Sequence, residues 1–175
     1  KIFDTFDEKC QIGENDSYIS FLIRKDMIDE FVSFVNKQNI SVRSEISPSI
    51  FETNPLLKSR RASLIEYAAF FGSIQIFNYL RMNNAEMTPS LWIYAIHGNN
   101  ADMIHILEEY NIEPEDKTYM MCLKESIKCH HNNIARYIEN NHLEESLEKK
   151  ENDFKNNSVS FGFHYYNYEF IEDSC

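Results

Sequence analysis

The chain has 175 residues, 43% of them hydrophobic and 14% aromatic, enough for one compact domain or a short array of helical repeats. Its formal net charge is −11, and the one basic knot, Lys58-Ser59-Arg60-Arg61, is too small to reverse that field; such a surface argues against binding to nucleic acid or to anionic membranes. Only four Gly and four Pro occur, too few for the tight turns of a β-sandwich or barrel.

Cys10, Cys122, Cys129 and Cys175 lack the density and spacing of a disulfide scaffold, which points to a reducing intracellular, cytoplasmic setting. The longest strongly apolar run, Leu91 to Ile96, falls far short of the ~20 residues that span a bilayer.

In chain order, residues 1–16 are acidic and aperiodic and are expected to form a loosely ordered or capping segment. Residues 18–38 carry a weak helix-pair pattern with Ile23, Phe31-Val32 and Phe34-Val35 on its apolar side. Residues 39–62 form an insertion with Pro48 and Pro55, in which a short helix is expected around Ser49 to Glu52. A clear pair follows at 63–87. Ser63 precedes Leu64 with Glu66 three residues on, a capping box, and Ile76, Phe77, Tyr79 and Leu80 form a stripe of helical period.

Shifting that segment by 27 residues superimposes Ile65 on Trp92, Ala68 on Ala95, Gly72 on Asn99 and Tyr79-Leu80 on Ile106-Leu107. The second pair, 90–114, is expected to open with Thr88 as cap and Pro89 in the first helical position. A further shift of 31 residues gives a third copy at 121–143, with Ser126-Ile127 for the Ala pair and His130 for the Gly. Doubled asparagines (Asn83-Asn84, Asn99-Asn100, Asn132-Asn133, Asn140-Asn141, Asn156-Asn157) suggest helix ends, where Asn tolerates the left-handed conformation. Residues 144–175 comprise a charged helix or linker and an aromatic tail. Ser158 to Ile171 in that tail suits an extended segment or the start of a further repeat.

Ser63-Leu64-Ile65-Glu66-Tyr67-Ala68-Ala69-Phe70-Phe71-Gly72-Ser73-Ile74-Gln75-Ile76-Phe77-Asn78-Tyr79-Leu80 resembles the ankyrin repeat, T-P-L-H-x-A-A-x-x-G-H-x-E-I-V-x-x-L-L, and Asn84-Ala85-Glu86 stands where that family has G-A-D. The resemblance covers about residues 18 to 143 and is most specific over 62 to 113. It implies an all-α, ankyrin-like solenoid of about four stacked helix pairs. The 27-residue spacing, against about 33 in the family, implies that the β-hairpin fingers are short or absent. The implied function is that of a protein-interaction scaffold with no enzymatic activity and no cofactor, gripping a polypeptide on its concave face. The alternative is a self-associating structural module, or a fragment of a longer array, joined through the aromatic tail as a homo-oligomer.

Transferred position by position, the family's variable first-helix positions are Tyr67, Phe70 and Phe71, then Tyr94, His97 and Gly98, then Glu125, Lys128 and Cys129. Rigid aromatics among them suit a binding hot spot; burial between helices is the competing reading. Arg60-Arg61-Ala62-Ser63 resembles a basic-directed phosphorylation site, against the simpler role of Ser63 as a cap. Cys122, Cys129, His130, His131 and His142 contain no C-x-x-C pair, and adjacent helical residues diverge, so no metal site is expected. Absence of G-x-S-x-G, H-E-x-x-H and any glycine-rich phosphate loop argues against catalysis.

Overall fold

The computed structural model describes residues 2–143 and 151–172. Every regular element among them is helical; pairing between strands is limited to one isolated bridge, Glu45 with Ser63. The chain divides into two compact units, Lys1–Thr88 and Pro89–Cys175. The first contains α1 (Ile2–Ile12), α2 (Tyr18–Arg24), α3 (Ile28–Gln38), α4 (Pro55–Ser59), α5 (Leu64–Phe71) and α6 (Ile74–Met82). The second contains α7 (Leu91–His97), α8 (Ala101–Glu109), α9 (Met120–Lys128), α10 (Asn132–Ile138), a π-helical turn (Glu139–Leu143), α11 (Glu151–His164) and α12 (Tyr168–Glu172). Residues 144–150 of the charged segment, and Cys175, lie outside the described residues.

The helices form hairpins closed by one recurring turn. At Asp26, Gly72, Asn99, His130 and Tyr166 the backbone is left-handed, with φ between 49° and 65°. Each of these residues donates its N–H three residues back, to Ile23, Ala69, Ile96, Ile127 and Phe163 respectively. The residue after each donates five back, to Leu22, Ala68, Ala95, Ser126 and Gly162. This pair of bonds is the Schellman motif, which satisfies carbonyls that the end of a helix leaves orphaned. Second helices end the same way at Asn39, Asn84 and Asn111, all left-handed. The doubled asparagines therefore include residues in a glycine role, which explains how so many turns coexist with four Gly.

Turns also tie one hairpin to the preceding one within a unit. Ser73 Oγ donates to the Ile23 carbonyl, and Asn167 Nδ2 donates to the Ile127 carbonyl at 2.9 Å. Both donors directly follow the left-handed residue, and both acceptors lie three residues before the preceding left-handed residue. In the first unit α5 packs on α2 and α6 on α3; in the second, α7 and α11 pack on α9. The contact helices bring small buried residues to the seam (Ala68, Ala95, Ser126, Gly162). Core rings include Phe31, Phe77 and Trp92, and the Trp92 indole N–H donates to the Ile112 carbonyl at 2.6 Å.

Four expectations need correction. Residues 2–12 are helical, not loosely ordered. The insertion's helix is at Pro55–Ser59, because Asn54 caps it with bonds from Leu56 and Leu57 and Pro55 has a φ pre-set for the first turn; Ser49 to Glu52 is only a turn. Helix α7 begins at Leu91, after turn bonds from Trp92 to Pro89 and from Ile93 to Ser90, so Pro89 precedes it. Of the two readings of the tail the extended one fails, and the structure takes the form of the other: α11 and α12 make a fifth hairpin, with Phe170 and Ile171 buried.

That hairpin depends on Gly162. A Cβ there would lie 2.6 Å from Ile171 Cγ1, closer than carbon atoms pack. Gly162→Ala is expected to lose about 1–3 kcal/mol in urea titration, although Ala occupies the matching positions 68 and 95; unchanged stability would contradict the close approach of α12.

Candidate functional site

In the first unit, the expected aromatic hot spot fails at Tyr67, where the competing reading of burial holds: Tyr67 is 1% exposed. Its phenolic oxygen accepts from Arg24 Nη1 at 3.2 Å, and Arg24 also pairs with Glu14 at 2.8 Å. Burial pushes the Tyr67 hydroxyl above its ordinary range, against the opposing effect of Arg24. Phe70 and Phe71 are half-buried, 4.9 Å apart centre to centre and nearly edge-to-face. The Arg24 guanidinium lies 6.0 Å from the Phe71 ring centre. The insertion adds a cleft of about 460 Å³ that Tyr67, Asn15 and Glu52 help to line. Glu52 is buried, with one carboxylate oxygen bonded to the Asn54 N–H.

Ser63 acts as the cap that its spacing implies. Its Oγ accepts from the Glu66 N–H at 3.3 Å and donates to Glu66 Oε2 at 2.8 Å, while its own N–H donates to the same carboxylate at 2.7 Å. A phosphate there would face the Glu66 carboxylate, so the geometry favours the unmodified hydroxyl.

In the second unit, Tyr94 is 2% exposed and belongs to the core. The correction for both tyrosines has one cause. They stand one helical turn before the end of a first helix, on the side that faces its neighbours. The other three positions converge. His97 is the last residue of α7, and Glu125 and Lys128 lie on the final turns of α9. His97 Nε2 is 3.0 Å from Glu125 Oε2, and Lys128 Nζ reaches the same carboxylate at 2.9 and 3.2 Å. Cys129 follows, with Sγ 3.6 Å from His97 Nδ1.

Burial opposes charge on His97, but its contacts with Cys129 and Glu125 prevail and raise the imidazole to about 9. The hydrogen bond from His97, with help from Lys128, holds Glu125 down to about 2 despite burial. Lys128 is raised in turn by Glu125. At neutral pH the carboxylate thus stands between two cations. His97, Glu125 and Cys129 each offer a ligand atom, and the three atoms lie within 4.8 Å of one another. Sequence reading named all three as separate surface positions and did not join them as a metal-capable group. The available signal was Glu125 and Cys129 at i and i+4, which share a helix face.

A second polar group was not foreseen. Glu108 accepts from Tyr137 Oη at 2.8 and 2.9 Å, and it contacts His142 Nε2 at 2.7 Å and His105 Nδ1 at 3.1 Å. The His142 ring stacks on Tyr119 at 4.0 Å, and Trp92 packs edge-on against both. Both oxygens of Glu108 have partners, which fits a structural brace across α8 and α10.

No protein-family model matches the chain, and neither the curated proteins nor the solved structures give a match. No helix among the described residues is long and apolar enough to cross a membrane.

Because folding raises the His97 pKa, its stabilisation is complete below about pH 6.5 and is lost as pH rises through about 9. In chelator-treated protein, stability measured by urea titration is expected to fall between pH 6.5 and 9.5 more steeply than in His97→Gln. Parallel pH curves for the two would contradict the assignment.

Proposed function

We propose that the chain is a protein-binding module of the ankyrin-repeat type, in which the partly exposed first-helix ends of each unit contact polypeptide. The observation that carries this reading is the recurring turn. Gly72, Asn99 and His130 share one left-handed conformation and one pair of hydrogen bonds, at the place where the ankyrin pattern puts its glycine. Modules of this kind draw stability from contacts between successive hairpins and leave the ends of the first helices for partners.

The residues assigned to binding are Phe70 and Phe71 in the first unit, and His97, Glu125 and Lys128 in the second. Half-buried aromatics lose little rotamer freedom on contact. The Glu125 group, with cations on either side, suits a backbone or side chain carrying both donors and acceptors. The reading places the protein in the cytoplasm, assigns it no reaction, and gives it neither nucleic acid nor membrane as partner, in keeping with a net charge of −11.

Selection of displayed peptides on the immobilised full chain tests this. Lys128→Glu and Phe70→Ala are each expected to weaken a selected peptide by about tenfold or more, which is about 1.4 kcal/mol, while the helical circular dichroism signal is retained. Selected peptides whose affinity neither change alters would place the binding surface elsewhere.

A specific observation favours a second reading, self-association through the tail: Phe163, Tyr166 and Tyr168 are 59%, 73% and 54% exposed around the last turn. Clustered exposed aromatics commonly mark contacts. Light scattering on a Phe163→Ser, Tyr166→Ser, Tyr168→Ser variant is expected to give a lower mass than the wild-type chain if this reading holds; identical monomer masses for both would eliminate it.

A further inference from the structure

We propose that His97, Glu125 and Cys129 form a binding site for one zinc ion or a similar borderline divalent cation, completed by water. The donor set is an imidazole, a carboxylate and a thiol, the combination that zinc takes in preference to hard cations. Two of the three, Glu125 in the last turn of α9 and Cys129 at its C-cap, stand at i and i+4, and the third comes from the end of α7 packed against that helix. A single ion would therefore clamp two helices that the fold already brings together.

The spacing fits. Bonds of about 2.0–2.3 Å to a tetrahedral ion place neighbouring donors about 3.3–3.8 Å apart. Here His97 Nε2 stands 3.0 Å from Glu125 and its other nitrogen, Nδ1, 3.6 Å from Cys129 Sγ; with one imidazole nitrogen taken as donor, the three ligand atoms lie within 4.8 Å of one another. A turn of the imidazole that exchanges one of its present contacts for the ion would bring one nitrogen to both the sulfur and the carboxylate oxygen. The partial exposure of all three residues leaves a coordination position for water. Cys122 is buried with its thiol pKa pushed up by burial, and Cys10 is exposed on α1, so neither belongs to this group.

Without the ion, protons and Lys128 do its work: the cation on Lys128 holds Glu125 at 2.9 Å. Binding displaces Lys128 from the carboxylate and releases protons from Cys129 and His97 to solvent, with no change of oxidation state. Lys128 thus competes with the ion for Glu125. The inference stands apart from peptide binding, because the ion is titrated into the chain alone.

The test is competition of the full, reduced chain with a chromogenic zinc chelator, together with cobalt(II) titration followed by absorbance. One equivalent of zinc, and a thiolate-to-cobalt charge-transfer band, are expected in the wild type. Cys129→Ser should abolish the band and weaken zinc by at least about 100-fold, beyond the 10–100-fold typical of outer-shell changes. His97→Gln should do the same, and Lys128→Ala should tighten binding by freeing Glu125. Cys10 remains in every variant and serves as the control for stray thiol binding. Absence of stoichiometric zinc binding, or affinity that survives Cys129→Ser in a protein of unchanged helical content, overturns the proposal.

Discussion

The structure depends on one backbone device, a left-handed residue that ends one helix and aims the next back along it. Two hydrogen bonds fix its geometry, and the carbonyls they use are those a helix end would otherwise leave without partners. Most of these positions hold residues other than glycine: Asp26, Asn99, His130 and Tyr166 all adopt positive φ. For an L-residue that conformation is uphill, so surrounding packing must hold it. The fixing contacts are visible. Asp26 accepts from the Gln75 and Ile76 N–H groups at the start of α6. Asn167, next to Tyr166, is buried and bonds to both Ile127 and Asn132. Local strain and the contact between neighbouring hairpins are thus parts of a single arrangement.

The all-helical class was legible because two signals agreed: few Gly and Pro, and apolar stripes such as Ile76, Phe77 and Leu80, all buried. The Ser63 capping box could be read in advance because it is a local motif whose partners lie three residues apart. The tail could not. Its alternation of aromatic and polar residues imitates a strand, and what makes it helical is tertiary: Gly162 admits Ile171, and Asn167 reaches a carbonyl 40 residues away. The helix at Pro55–Ser59 was missed for a different reason. The short helix was expected around Ser49 to Glu52, whereas Pro55 directly after Asn54 is the start signal.

The candidate site was legible only as scattered positions. His97, Glu125 and Lys128 came from matching each hairpin to a common pattern, and that matching says nothing about which side chains meet. Tyr67 and Tyr94 show the limit: pattern position suggested rings open to a partner, yet packing encloses both. The Glu108 group escaped notice because only His105 shares its helix, at i,i+3, while Tyr137 and His142 reach it from elements about 30 residues further on. Charge supplies the common thread. In both groups of the second unit a carboxylate collects donors from its own and neighbouring helices, so an acidic chain spends part of its charge internally.

The most direct test is solution NMR of the backbone at Asp26, Gly72, Asn99, His130 and Tyr166. Chemical shifts and three-bond couplings should give positive φ at all five, with slow amide exchange at the residue after each, whose N–H is bonded five residues back. Helical or extended φ at these positions, or fast exchange of those amides, would contradict the account of the chain as a succession of like hairpins.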